Sequence, residues 1–171
     1  MENLLSQAKI TGWEAPIFQA DRTEVYSQVY EAARYRIFSL AYWMARDEIS
    51  AEHMTSRAFQ RAFVASCTLH DELLDRILVS ELREMMPIGN LSLGQPLATQ
   101  PAGIRGNVNR AQLEEAVMQL PPTERLIFLL HDVERYEHAR IARTVNITQA
   151  ESQLGLHAAR LRIRELLANM R

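Results

Sequence analysis

At 171 residues, 47% of them hydrophobic and 23% charged, the chain can form one ordinary domain or two small ones and is too apolar to be disordered. A formal charge of −2 excludes a uniformly basic nucleic-acid binder, so any DNA contact must come from local patches. The single cysteine, Cys67, excludes an intramolecular disulfide and a multi-cysteine zinc site, and it points to a reducing compartment.

Residues 1–20 read as an irregular segment, broken by Gly12 and Pro16, with Trp13, Ile17 and Phe18 as candidates to pack onto the first helical domain. That domain, residues 21–86, reads as three helices. The first, Thr23 to Arg46, places Tyr26, Tyr30, Ala33, Ile37, Leu40, Ala41 and Met44 on one face, with Trp43 off that stripe. The second, Ala51 to Ser66, has Ser50 as its expected cap and Met54, Ala58 and Ala62 as its stripe, flanked by Phe59 and Phe63. The third has Thr68 as a candidate cap, Leu73, Leu74, Ile77, Leu78 and Leu82 as its apolar face, and Pro87 and Gly89 as its stop.

Residues 87–109 hold four of the six glycines and three of the six prolines, which marks a linker. The second domain, 110–171, opens with an Asn109/Gln112 capping box, and its first helix has Leu113, Val117 and Leu120 as core positions. Pro121-Pro122 ends that helix and starts the next, which carries Leu126, Leu129, Leu130 and Val133. A short helix from Glu137 to Val145 comes next, then Asn146-Ile147-Thr148. A second capping box, Thr148/Glu151, opens a last helix to about Ala168, with Leu156, Ala159, Ile163 and Leu166 inward. The expected fold class is therefore all-α, in two small helical domains.

A short helix, a tight turn with a capping threonine and a long helix together spell a helix-turn-helix, whose second helix enters the DNA major groove. An ordinary helical hairpin in a bundle core has the same spacing. The residues then match a family. Leu113 to Leu120, Pro121-Pro122, Glu124-Arg125, the run Leu126 to Glu134, and then Tyr136, His138, Ile141-Ala142, Ile147 and Leu156 to Leu167 closely resemble region 4 of bacterial sigma factors of the extracytoplasmic-function type. Tyr35 to Met44 and Ser50 to Phe59 are similar to that family's region 2. The resemblance implies a region 2-like bundle and a region 4-like helix-turn-helix joined by the linker. It also implies a transcription-initiation protein that binds core RNA polymerase and directs it to promoter DNA, with an anti-sigma factor as a further candidate partner.

Under that resemblance the DNA-binding residues are Thr148, Gln149, Glu151, Ser152, Gln153, His157, Arg160, Arg162 and Arg164. Gln149 and Gln153 suit adenine edges, and Glu151 serves as a cap or accepts from cytosine. The polymerase-binding residues are Glu52, His53, Thr55, Ser56, Phe59 and Arg61. The chain departs from the family where His53, Ser56 and Arg57 replace acidic residues and a glutamine, which weakens attraction to a basic clamp. It departs again where Ser66 to Met86 lacks aromatics for base stacking, and where Gln153, Gly155 and Ala158 replace basic residues. These departures motivate an alternative: a sigma-like regulatory interaction protein that has lost promoter opening.

The five histidines show no HExxH pattern, and no metal site, cofactor or small-molecule substrate is expected. His131-Asp132 and His70-Asp71, adjacent on a helix, are expected to point apart. Nothing resembles a phosphate loop or a nucleophile elbow, so the protein reads as no enzyme. No apolar run spans a bilayer, and the N-terminus lacks the pattern of a secretory signal, so a cytoplasmic location without membrane insertion is expected.

Overall fold

The computed structural model describes residues 15–65, 70–92 and 108–170, with backbone alone for 15–23. Expectations for Trp13, Cys67, the Thr68 cap and residues 93–107 of the linker lie outside the described residues. Within them, seven α-helices and one π-turn are present and no strand. These are α1 (Ala15–Ala45), α2 (Glu48–Ala65), α3 (Asp71–Met85), α4 (Arg110–Met118), α5 (Pro122–Phe128), a π-turn (Leu129–Val133), α6 (His138–Val145) and α7 (Gln149–Asn169).

Helix α1 starts at Ala15 rather than Thr23, with Pro16 tolerated in the first turn because it lacks only an N–H that has no helical partner there. Its expected stripe is buried at Ala33, Ile37, Leu40, Ala41 and Met44. Tyr26 stacks on Phe63, and Tyr30 meets Phe59 edge-on with ring centroids 4.9 Å apart. Helix α2 is capped by Asp47, not Ser50: the Asp47 carboxylate accepts the Ser50 N–H at 2.7 Å, and the Ser50 hydroxyl together with that N–H holds its pKa below the usual carboxylate value. Helix α3 packs Leu74, Leu78 and Leu82 against α1 and α2.

The Asn109/Gln112 capping box forms as read, with both bonds made. Leu113 is 41% exposed, and Ala116 takes the core position beside Val117 and Leu120. After α5 the π-turn adds a residue to one helical turn. This rotates the register, so Val133 emerges 58% exposed while Ile127 is fully buried. Helices α4, α5 and α6 pack around α7, whose Leu156, Ala159 and Ile163 are inward. Gly155 is there for close approach, since a Cβ at that position would lie 2.6 Å from Ile127 Cδ1 and 2.9 Å from Leu91 Cδ2.

The start of the linker is fastened to the second domain. The Gly89 N–H, at φ +111°, donates to Thr123 Oγ1 at 3.1 Å, and the Ser92 N–H donates to Glu124 Oε1 at 2.6 Å. The two domains also dock directly, α3 against α6 and α1 against α5. Each gives a guanidinium to a helix C-terminus of the other: Arg125 donates to the Trp43 carbonyl in the last turn of α1 at 3.2 Å, and Arg83 donates to the Val145 carbonyl ending α6. Carbonyls there have no helical partner and carry the negative end of the helix dipole, so a cation suits them.

Candidate nucleic-acid interface

The turn between α6 and α7 is closed by Asn146, which takes the left-handed conformation at φ 53°. The Ile147 N–H then reaches back to the Ala142 carbonyl at 3.0 Å. Thr148 caps α7: its Oγ1 accepts the Glu151 N–H at 3.1 Å, and Glu151 Oε2 accepts the Thr148 N–H at 2.7 Å. Glu151 is thus engaged as the box partner, and its pKa lies below the usual carboxylate value because of the Thr148 N–H and hydroxyl.

Gln149, Gln153, His157, Arg160 and Arg164 are all exposed and recur at steps of three and four, so they form one open stripe along α7. At 1.5 Å rise per residue the stripe runs about 22 Å. The other sequence-selected residues of α7 fall elsewhere. Ser152 is fully buried, 3.0 Å from His138 Nδ1, so its hydroxyl ties α7 to α6 and faces no groove. Arg162 is half-buried and lies 3.5 Å from Glu165. Gly155 is buried too, so a basic side chain at that position would have no path to DNA.

Arg160 is on the open stripe but is not idle, since Asp132 of the π-turn accepts from it at 2.6 and 3.1 Å. His131 also reaches Asp132, at 2.8 Å, against the expectation that adjacent residues point apart. The π-turn has changed the local register. His131 stacks on His138 with ring centroids 4.7 Å apart. Burial, the neighbouring His131 and Arg160 push the His138 pKa down. Burial raises the Asp132 pKa, but the hydrogen bonds from Arg160 and His131 outweigh it and leave the group below its usual value.

In the first domain, Glu52, His53 and Ser56 are exposed on α2. Thr55 and Phe59 are not: Thr55 is 9% exposed and donates its hydroxyl to the Ala51 carbonyl at 2.7 Å, while Phe59 is 3% exposed in an aromatic cluster with Tyr30 and Phe63. These two are core side chains. Arg61 pairs with Glu81, as does Arg57, which lies 2.7 Å from Glu81 and 2.9 Å from Glu84. Both guanidiniums are therefore neutralised within the domain.

Sequence reasoning missed two buried carboxylates on α3, Asp75 and Glu81, at 1% and 2% exposure. The signal was present, because both fall beside the Leu74–Leu78–Leu82 stripe at helical spacing, where an acid needs partners. Asp75 receives Arg36, Tyr136 Oη at 2.9 Å and Arg140 at 2.8 Å. Burial and the adjoining Asp75 charge raise the Tyr136 pKa. No cluster of His, Cys, Asp and Glu suited to a metal occurs among the described residues, and none of their helices is long and apolar enough to cross a membrane.

No curated protein matches the chain by sequence. Residues 110–163 match the family model described as Sigma-70, region 4. A solved structure of the sigma factor RpoE in complex with the anti-sigma factor NepR from Bartonella quintana has a similar fold, with a TM-score of 0.60 at 14% identity over 85% of this chain and 98% of that one. The matched residues run from the start of α4 to Ile163 and so contain α6, the turn and α7 up to Ile163. Residues 110–163 are thus similar to region 4 of sigma-70, and the chain as a whole shares its fold with that sigma factor structure.

Proposed function

We propose that the protein is a sigma factor that binds core RNA polymerase and directs it to promoters through the α6–α7 helix-turn-helix. The observation that carries this reading is the open stripe Gln149–Gln153–His157–Arg160–Arg164 on an α7 opened by a complete capping box, all but Arg164 within the region 4 match. Gln149 and Gln153, at the N-terminal end of α7, offer paired donor and acceptor groups that suit adenine edges, and Arg160 and Arg164 further along suit phosphates. On α2, Glu52, His53 and Ser56 form the polymerase-facing patch, with Thr55 and Phe59 supporting it from inside. Such a protein supplies specificity to another enzyme's chemistry and works in the cytoplasm, where an anti-sigma factor is a partner of matching class.

The test is retention of core polymerase by the immobilised protein at low salt. Retention that falls when Glu52 and His53 are replaced supports the reading, and no retention at any salt contradicts it. The alternative, a sigma-like regulator without promoter opening, draws on the aromatic-free stretch Ser66 to Met86. It separates from the main reading by retaining polymerase without promoter-dependent RNA synthesis.

A further inference from the structure

In a helix-turn-helix the helix before the turn crosses the DNA backbone. Here that helix is α6, and its two guanidiniums, Arg140 and Arg143, are three residues apart and so share a face. Both are already occupied. Arg140 donates to Asp75 at 2.8 Å and Arg143 to Glu72 at 2.9 Å, and both carboxylates lie on α3 of the other domain, again three residues apart. A row of anionic oxygens at helical spacing offers α6 the same chemistry as a phosphate backbone: a charged acceptor for a forked cationic donor.

We propose that α3 is a phosphate mimic, and that in the docked protein Glu72 and Asp75 hold the arginines that DNA would otherwise engage. The proposal rests on the reading of α6–α7 as the DNA-binding unit. Docking of the domains and full DNA contact then exclude each other at these two side chains, and the protein binds DNA at full strength only when α6 leaves α3. Separation does not strand the buried acid, because Arg36 of its own domain keeps its bond to Asp75. The seam between α3 and α6 is held by ion pairs and hydrogen bonds to charged groups, the kind of contact that dissociates and re-forms more readily than an apolar one.

The experiment measures affinity of the full chain for a short duplex of arbitrary sequence across a sodium chloride series. Glu72→Gln, at a partly exposed position, is expected to bind several-fold more tightly at low salt. Its plot of log affinity against log salt should steepen by about one unit, and that of Glu72→Gln with Asp75→Asn by about two, one per freed guanidinium. Adding Arg143→Ala to Glu72→Gln should cancel the gain. Glu48→Gln, which removes an exposed charge away from the seam, should leave the slope unchanged. The proposal is overturned if Glu72→Gln, with an unchanged circular dichroism spectrum, binds like the parent, or if its gain survives Arg143→Ala or is matched by Glu48→Gln. Failure of every form to bind duplex at low salt overturns the DNA-binding reading and the proposal with it.

Discussion

The hydroxyl of Tyr136, just ahead of α6, donates to the buried carboxylate of Asp75 on α3 at 2.9 Å, and through that contact the two domains share one polar node. Arg36 also donates to the Tyr136 oxygen at 2.8 Å, so the hydroxyl both gives and accepts. Arg140 lies over the Tyr136 ring, 3.6 Å from its centroid. Replacing Tyr136 by Phe keeps the ring and removes the hydroxyl. A hydrogen bond to a charged group contributes about 1.5–3 kcal/mol, and a loss of that size is expected as a lower urea midpoint. Asp75→Ala is expected to cost more, about 3–5 kcal/mol, because it takes the buried carboxylate from Arg140 and leaves Arg36 only its longer ion pair with Asp71.

Phe59 and His53 sit on the same helix and should separate cleanly. Phe59→Ala empties a position in the aromatic cluster and is expected to destabilise by about 3–5 kcal/mol in denaturant unfolding. His53→Ala is at the surface and should leave stability within about 0.5 kcal/mol while weakening polymerase binding. The reverse pattern would place the polymerase contact on the wrong face of α2.

Thr148→Ala removes the hydroxyl half of the α7 capping box, while the backbone N–H of residue 148 still donates to Glu151. The expected cost is about 0.5–2 kcal/mol in unfolding of the second domain. Because the cap lies one residue before Gln149, DNA affinity should fall as well. Thr148→Asp, which keeps an acceptor at the cap, should restore most of both.

His138 gives the second domain a pH dependence of definite sign. Its pKa in the folded protein is below the ordinary histidine value of 6.5, so on acidification the unfolded chain takes up this proton first. Its contribution to stability is complete above about pH 6.5 before protonation begins. With further acidification, that contribution is lost as pH falls through the range between the two values, because a neutral imidazole is what the fold favours. Urea midpoints measured from pH 7.5 down to 5 should therefore decline, and His138→Gln should flatten the decline (both pH limits set about the ordinary value of roughly 6.5). A midpoint that rises on acidification would show that the His131–His138 stack does not disfavour protonation.

Much of this architecture is legible in the sequence because its signals are local. The Asn109/Gln112 and Thr148/Glu151 boxes, the Pro121-Pro122 break and the stripes of α1, α2 and α7 depend on residues close together along the chain. What is not legible depends on contacts across the chain or on an irregular turn. The start of α1 at Ala15 runs through Pro16, which reads as a breaker unless it falls in a first turn. The exposure of Val133 and the meeting of His131 with Asp132 arise from a π-turn that helical periodicity does not announce. Ser152 reads as a groove residue because of its place near the start of α7, yet its hydroxyl faces His138. Thr55 and Phe59 read as contact residues through the resemblance of Ser50 to Phe59 to region 2, which does not by itself separate surface from core positions, and both are buried. Asp75 and Glu81 are hidden because an acid on a helix ordinarily reads as solvated.

Run-off transcription from a genomic promoter fragment by purified core polymerase, with and without this protein, is the sharpest check on a promoter-directing role. The expected result is RNA that starts at a defined site only when the protein is added, and that falls about tenfold or more with Gln153→Ala if the adenine contact contributes about 1–3 kcal/mol. Polymerase that binds the protein yet makes no promoter-dependent RNA from any fragment would contradict that role.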